Sequence, residues 1–338
     1  MITQGLIVTA DNQVVTGEGY GSFITNSSTT ASTASTFVFT GDYVSVSGLR
    51  VDSGSPSSTG ANQSCGISIQ GNYSKAFNNI VTDYLGTGIQ IYTGSYNSVY
   101  NNRIIASQGW TADTTDHNLA GIGASVRYHG SFNKIYGNII QGTGTAVQVQ
   151  TVDDTGLMEH NQVIGNNISD CLSYGVIAYR QSSDPLGSYT VEHTIISDNS
   201  IHNVLGSAGI LANDAGQQFV FGAGIYNQGA EHSVITGNTI SGTNADTEYE
   251  LLAPGAIGWT NASSGVISGN TISDANWYGI IVTEPNDNSL TGGRLTVTDN
   301  TIYSPTKDGI KVTDPNDILI HSNTVTEGAA KGLSLIHI

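Results

Sequence analysis

An asparagine followed two residues later by Ile or Val recurs at Asn78, Asn102, Asn138, Asn166, Asn199, Asn238, Asn270, Asn300 and Asn323. Successive steps run from 23 residues, between Asn300 and Asn323, to 39, between Asn199 and Asn238. A repeat with a short floor and a variable excess marks a solenoid whose loops differ from turn to turn. Most units also hold a Gly or Ala followed by a short apolar run, as in "CGISIQ" from Cys65, "YGVIAY" from Tyr174 and "DGIKVT" from Asp308. Such runs are too short and too β-branched for helices, so one unit reads as three short strands separated by turns. The 42 glycines and the 11% of charged residues agree, since glycine weakens helix interiors.

Stacked coils of three parallel strands bury alternate Ile and Val and pair every backbone group with the coils above and below. The recurrent Asn then has a physical reason. It tolerates the left-handed backbone region, and its amide can bond the Asn of the next coil ~4.8 Å away. The expected fold is therefore all-β, a single-stranded parallel β-helix of about nine to eleven coils with an Asn ladder. It would form one domain over residues 1–332.

These repeats resemble the right-handed parallel β-helix of the pectate-lyase-like superfamily. That superfamily includes polysaccharide lyases, polygalacturonase-type hydrolases, uronan epimerases and phage tailspikes. The likeness covers residues 5–328 and concerns the fold, because such repeats serve unrelated activities. No stretch matches a catalytic signature of those enzymes, so no catalytic residue is carried over.

Both ends read as cut. The chain opens on strands already in progress, and "LSLIHI" (Leu333 to Ile338) is what an in-frame transposase sequencing adapter encodes. A fragment from assembled environmental DNA is the expectation, with residues 333–338 outside the domain.

Ten Lys and Arg stand against 27 Asp and Glu, a net charge of −17. That field repels nucleic acid phosphates and anionic membranes. No apolar run approaches the ~20 residues that span a bilayer, which excludes insertion by a helix. Cys65 and Cys171 fall about four coils apart, on the order of 19 Å at ~4.8 Å per coil. A disulfide needs Cα atoms within ~7 Å, so both thiols are expected free and buried.

Three segments share a Glu-His pair, "MEHNQVIGNNI" (Met158 to Ile168), "VEHTIISDNSI" (Val191 to Ile201) and "AEHSVITGNTI" (Ala230 to Ile240). Their histidines continue a column Tyr96, Phe132, His160, His193, His232. Counting by two from Val99, Ile135, Val163, Ile195 and Val234 points this column inward, as an aromatic stack at a corner. The neighbouring Glu159, Glu192 and Glu231 should face water. There they repel by roughly 0.8 kcal/mol per pair, a cost that a bound cation relieves, and the three are the weak metal candidates.

In β-helix enzymes of the resembled superfamily the substrate groove follows the Gly-Ile strands. Outward positions on them are Gln70, Tyr92, Gln148, Gln150, Tyr179, Tyr226, Gln228, Trp259 or Thr260, and Thr283. Amides and aromatic rings suit a sugar chain. The long loops all lie in the middle coils, and long loops on a rigid scaffold carry function. Two of five arginines sit there, in "SVRYHG" (Arg127, Tyr128, His129) and "AYRQSSD" (Tyr179, Arg180, Asp184).

β-Elimination or C5 epimerisation of a uronate needs a cation beside the enolate-like intermediate and groups that move protons. Arg127 or Arg180 could neutralise; Tyr128, His129 or Tyr179 could move protons. Alternatively the arginines cap turns by pairing with Asp153, Asp154 or Asp184, and Tyr179 is a sugar-stacking or surface residue. Hydrolysis instead needs two carboxyls ~5 to 9 Å apart, for which Asp153, Asp154, Asp184 and Asp214 are the candidates. Loop oxygens could also hold Ca²⁺, although no complete calcium loop occurs.

The reading is a carbohydrate-active β-helix that cleaves or modifies an extracellular, uronic-acid-containing polysaccharide by β-elimination or epimerisation. A paired-Asp hydrolase, or a non-catalytic tailspike-like binder that trimerises, are the alternatives. The resemblance implies an extracellular or virion-associated protein.

Overall fold

A computed structural model of the chain describes residues 6–25, 35–52, 65–84, 86–106, 121–151, 156–180, 190–206, 211–212, 218–219, 222–244, 255–262, 264–283, 294–313, 317–326 and 333–336. Each coil gives one strand to each of three parallel sheets, of twelve, eleven and eleven strands. One coil runs through Thr145–Thr151, Gln162–Ile164 and Asn167–Cys171, the next through Tyr174–Arg180, Ile195–Ser197 and Ser200–Val204. The Gly-Ile strands build the first, twelve-stranded sheet. Leu333–Ile336 pairs in parallel on Ile310–Thr313 as its last strand.

The glycine of the Gly-Ile strand faces inward against the third sheet. A Cβ on Gly175 would lie 2.6 Å from Ile201 Cγ2, and one on Gly224 2.4 Å from Ile240 Cγ2. Ile140, Ile168, Ile201, Ile240, Ile272 and Ile302 form a fully buried file along the third sheet. Each such side chain contributes about 1.5–3 kcal/mol by leaving water.

The asparagine ladder is present, with one correction to its first rung. Asn79, not Asn78, gives its backbone N–H and Nδ2 to Asn102 Oδ1, and the same bonds continue through Asn138, Asn166, Asn199, Asn238, Asn270, Asn300 and Asn323. Nor do the ladder asparagines adopt the left-handed conformation. The residue before each does, as at Asn78, Asn101, Gly137, Gly165, Asp198, Gly237, Gly269, Asp299 and Ser322. That residue turns the chain, and the next aims its amide inward, stacked and buried.

A second internal ladder escaped the repeat pattern. Asn97 Oδ1 accepts from Ser74 N, Asn133 Oδ1 from Asn97 N and Asn161 Oδ1 from Asn133 N, at 2.7 to 3.0 Å. It follows the aromatic column by one residue. The column itself faces outward, opposite to the expectation, because its members are left-handed, with φ of 51° to 60° from Tyr96 to His232. Inward positions come three residues later, so Ile196 and Ile235 are buried, not Ile195 and Val234.

The stack also starts earlier, at Tyr43 and Tyr73. Seven rings succeed one another at centroid spacings of 4.7 to 5.1 Å. A left-handed residue costs roughly 1–2 kcal/mol, and an aromatic pair returns about 0.5–1.5. Stacking therefore largely offsets the strain of the turn. Cys65 and Cys171 are buried thiols that are not joined in a disulfide, as expected.

Candidate functional site

Four neighbouring strands of the first sheet are longer than the three- to five-residue strands around them: Ile122–Arg127, Thr145–Thr151, Tyr174–Arg180 and Ala223–Gln228. Register aligns their outward side chains in rows. Ser125, Gln148, Ile177 and Tyr226 make one row; Arg127, Gln150, Tyr179, Gln228, Thr260 and Thr283 make the next. The four strands span about 14 Å at ~4.8 Å per step. None of the twelve strands of this sheet contains Asp or Glu, whereas Arg127, Arg180 and Lys311 lie on it.

Most of both rows lies below the surface, while Tyr226, Thr260 and Thr283 are partly exposed. Gln148 is 3% exposed, Gln150 5%, Tyr179 5% and Arg127 8%. Within this buried face Ser125 Oγ, Arg127 Nε, Thr145 Oγ1, Gln148 Oε1 and Gln228 Oε1 have no hydrogen-bond partner. An unsatisfied buried polar group costs about 1–3 kcal/mol, so five on three of these four strands is a costly arrangement for structure alone. Gln148 Nε2 does donate to Gln150 Oε1.

Aromatic groups frame the patch. The Tyr92 and Tyr128 rings meet at 4.3 Å, tilted by 50°. Their hydrogen bond, with burial second, pushes the Tyr92 phenol up to about 12, while Arg127 opposes the rise. A phenol so held stays protonated at neutral pH and is a proton donor. Tyr174 and Tyr226 stack at 5.5 Å, and burial raises the phenols of Tyr174, Tyr179 and Tyr226. Tyr226 donates to Thr260 Oγ1 at 3.4 Å, and Thr260 Oγ1 lies 2.9 Å from Thr283 Oγ1.

The structure thus brings Arg127, Gln148, Gln150, Tyr179, Tyr226 and Gln228 together on one face. Arg180 follows Tyr179 one residue further out, in register with Thr151. Tyr128 and His129 are half-buried where their strand ends, and a Cβ on Gly156 would strike the His129 ring. Trp259 is a correction. It faces the core, fully buried, with Nε1 donating to Ala262 O at 2.8 Å, and Thr260 is the outward residue. Asp153, Asp154, Asp184 and Asp214 lie outside the described residues.

Ser125, Thr145 and Tyr174 are not singled out by the sequence pattern. Period-two counting from the inward Ala124 and Val126 finds Ser125. Thr145 and Tyr174 precede the inward Gly or Ala, where the alternation breaks.

The glutamate column forms as expected, because Leu157–Glu159, Thr190–Glu192 and Ala230–Glu231 pair as a small parallel sheet at the turn. Glu159 and Glu192 are partly exposed, with Glu159 Oε2 3.7 Å from His160 Nε2 and Glu192 Oε2 3.8 Å from His193 Nδ1. Glu231 departs from the expectation: it is buried and accepts from Ser264 N and Oγ.

Residues 159–337 match the model of a right handed beta helix region, and residues 4–191 match that of a protein of unknown function, DUF1565. The catalytic unit of a thermostable GH87 α-1,3-glucanase from Streptomyces thermodiastaticus superposes with a TM-score of 0.61 at 15% identity, over 99% of this chain and 60% of that one. The chain thus spans about three-fifths of that structure. An alginate lyase from Paenibacillus sp. gives 0.53 at 13% identity, over 93% and 99%. PfbA, a surface adhesin of Streptococcus pneumoniae, gives 0.58 at 13%, over 97% and 85%. No curated protein sequence matches the chain. At these identities the likeness is one of fold.

Proposed function

The chain belongs to the right-handed β-helix family, and from that premise we propose that it acts outside the cell on a polysaccharide containing uronic acid, by β-elimination or C5 epimerisation. The observation that carries the reading is the patch of unpartnered buried polar atoms around Arg127, on a sheet whose strands hold no carboxylate. A sugar chain brings hydroxyls for Ser125, Gln148 and Gln228 and a carboxylate for Arg127. In a chain of net charge −17, a sheet whose described strands carry arginines and no acid is where an anionic polymer meets least repulsion.

Arg127 would hold the uronate carboxylate and stabilise the enolate-like intermediate. Tyr92, kept protonated by Tyr128, would deliver the proton to the leaving oxygen, or to the opposite face of C5 in epimerisation. His129, one residue beyond Tyr128, is the candidate to remove the C5 proton. Solved structures of the same fold include an alginate lyase and a GH87 glucanase. For a paired-carboxylate hydrolase the candidate acids are Asp153, Asp154, Asp184 and Asp214.

A second reading, a non-catalytic polysaccharide binder, rests on the lack of a carboxylate on the described strands of this sheet, and the adhesin of this fold is consistent with it. The deciding experiment incubates the chain with a panel of uronate and neutral polysaccharides. Ultraviolet absorbance reports unsaturated ends, a reducing-end assay reports hydrolysis, and proton exchange at C5 reports epimerisation. New reducing ends without absorbance would overturn elimination in favour of hydrolysis; retention of polymer with no product would leave the binder.

A further inference from the structure

We infer that Glu159, His160 and His193 form a binding site for a divalent transition-metal ion of the zinc type, clipping two consecutive coils together on the outer turn. One ligand atom from each of the three lies within 4.8 Å of the others. His160 and His193 stack at 4.7 Å, and their side chains are 45% and 44% exposed. His193 Nδ1 is a buried atom with no hydrogen-bond partner, 3.8 Å from Glu192 Oε2.

Stacking alone does not explain the residue choice. In the two preceding coils the same positions are Ser95-Tyr96 and Ser131-Phe132; in the next three both change together, to Glu159-His160, Glu192-His193 and Glu231-His232. An aromatic column needs only rings, and benzene or phenol rings serve it one coil earlier. Wherever a ring gains nitrogens, the neighbouring hydroxyl becomes a carboxylate.

The third pair is already committed within the protein. His232 Nδ1 is 2.6 Å from Ser264 Oγ, and Glu231 is buried against Ser264. The first two pairs remain available.

Two imidazole nitrogens and a carboxylate oxygen suit zinc and its neighbours, which leave a fourth position for water. Calcium prefers oxygen ligands alone. Bonds of about 2.0–2.1 Å place ligand atoms about 3.4 Å apart, so the cluster must contract by up to about 1.4 Å. The backbone is fixed at φ of 56° and 52°, but the second side-chain torsion of histidine is broad, and the exposed rings can tilt toward one ion. The bound cation would also relieve repulsion between Glu159 and Glu192.

The test titrates Zn²⁺ into the untagged, EDTA-treated chain by calorimetry, with Ca²⁺ as the comparison ion. The repeat supplies its own conservative variants, since His160→Phe, His193→Phe and Glu159→Ser restore the pairing of Ser131 and Phe132. One Zn²⁺ per chain, a raised thermal midpoint and no competition by Ca²⁺ are expected. Each variant should keep its metal-free midpoint and lose at least about tenfold in affinity, the scale set by weaker second-shell changes. Absence of Zn²⁺ binding by the folded parent would overturn the site, as would binding that all three variants retain. Should a variant fail to fold, Co²⁺ in the parent decides: absorption from nitrogen and oxygen ligands supports the cluster, and a thiolate band places the ion at a cysteine instead.

Discussion

The side-chain amide of Asn199 donates to Oδ1 of Asn238 in the next coil at 3.0 Å, and also to the carbonyl of Val163 in the coil before at 3.0 Å. Its own Oδ1 accepts the backbone N–H of Asn166. One buried side chain thus satisfies polar groups on two neighbouring coils. Asn199→Ala leaves the N–H and the carbonyl unpaired at about 1–3 kcal/mol each, so roughly 3 kcal/mol should be lost in urea unfolding. Asn323→Ala, at the partly exposed end of the ladder, should cost clearly less. Equal losses at both positions would argue against the ladder as a stabilising element.

Trp259 and Thr260 give a test of which residue faces the core. Trp259→Ala empties a fully buried site and frees Ala262 O, for which about 3–5 kcal/mol is expected. Thr260→Ala loses only the hydroxyl contacts to Tyr226 and Thr283, about 1 kcal/mol. The reverse order in chemical denaturation would contradict the register.

Arg127→Gln should weaken turnover or retention of uronate polymers by tenfold or more, the ~1.4 kcal/mol that one charge-assisted hydrogen bond readily supplies. Neutral polysaccharides should be affected little. Thermal unfolding should stay near the parent, because Arg127 Nε has no hydrogen-bond partner to lose. Comparable losses on both polymer classes would remove the carboxylate-binding role.

Tyr92 titrates late because Tyr128 holds its neutral form. Its folded value is about 12, against an ordinary 10.0. A group raised in this way favours the folded state fully below pH 10 and loses that contribution as the pH rises through 12. In Tyr128→Phe, tyrosinate absorbance should develop at lower pH than in the parent. An unchanged alkaline titration would show that the two phenols do not interact.

Burial lifts the Cys65 thiol from 9.0 to about 11 and the Cys171 thiol from 9.0 to about 12. The thiolate is the reactive form, so neither should react with iodoacetamide in the native protein near neutral pH, and both should react in denaturant. The same sign makes the fold lose stability between pH 9 and 12, where the unfolded thiols ionise first. Rapid native alkylation at either site would refute the burial.

The file Asn102 to Asn323 was readable because a solenoid repeats its chemistry in its sequence: like residues meet like residues one coil away. The Gly-Ile motif was readable for the same reason, although what makes glycine necessary, the approach of Ile201 to Gly175, is a distance between sheets. Turns were less legible. Alternation by two holds along a strand and fails at a left-handed residue, so counting along the chain turns the Tyr96 to His232 column the wrong way. The same count picks Ile195 and Val234 in place of the inward Ile196 and Ile235, and a doubled asparagine hides Asn79 behind Asn78.

By itself, then, the sequence determined the coil, its ladder and its approximate number of turns, since these follow from periodicity along one dimension. Only the tertiary structure decided that Trp259 fills the core while Thr260 faces out. It alone set the Tyr92 phenol against Tyr128 and gathered the unpaired atoms of Ser125, Arg127, Gln148 and Gln228 on one buried face. Those relations depend on how far neighbouring coils are offset and where each corner bends, and loops of unequal length hide both from any count along the chain.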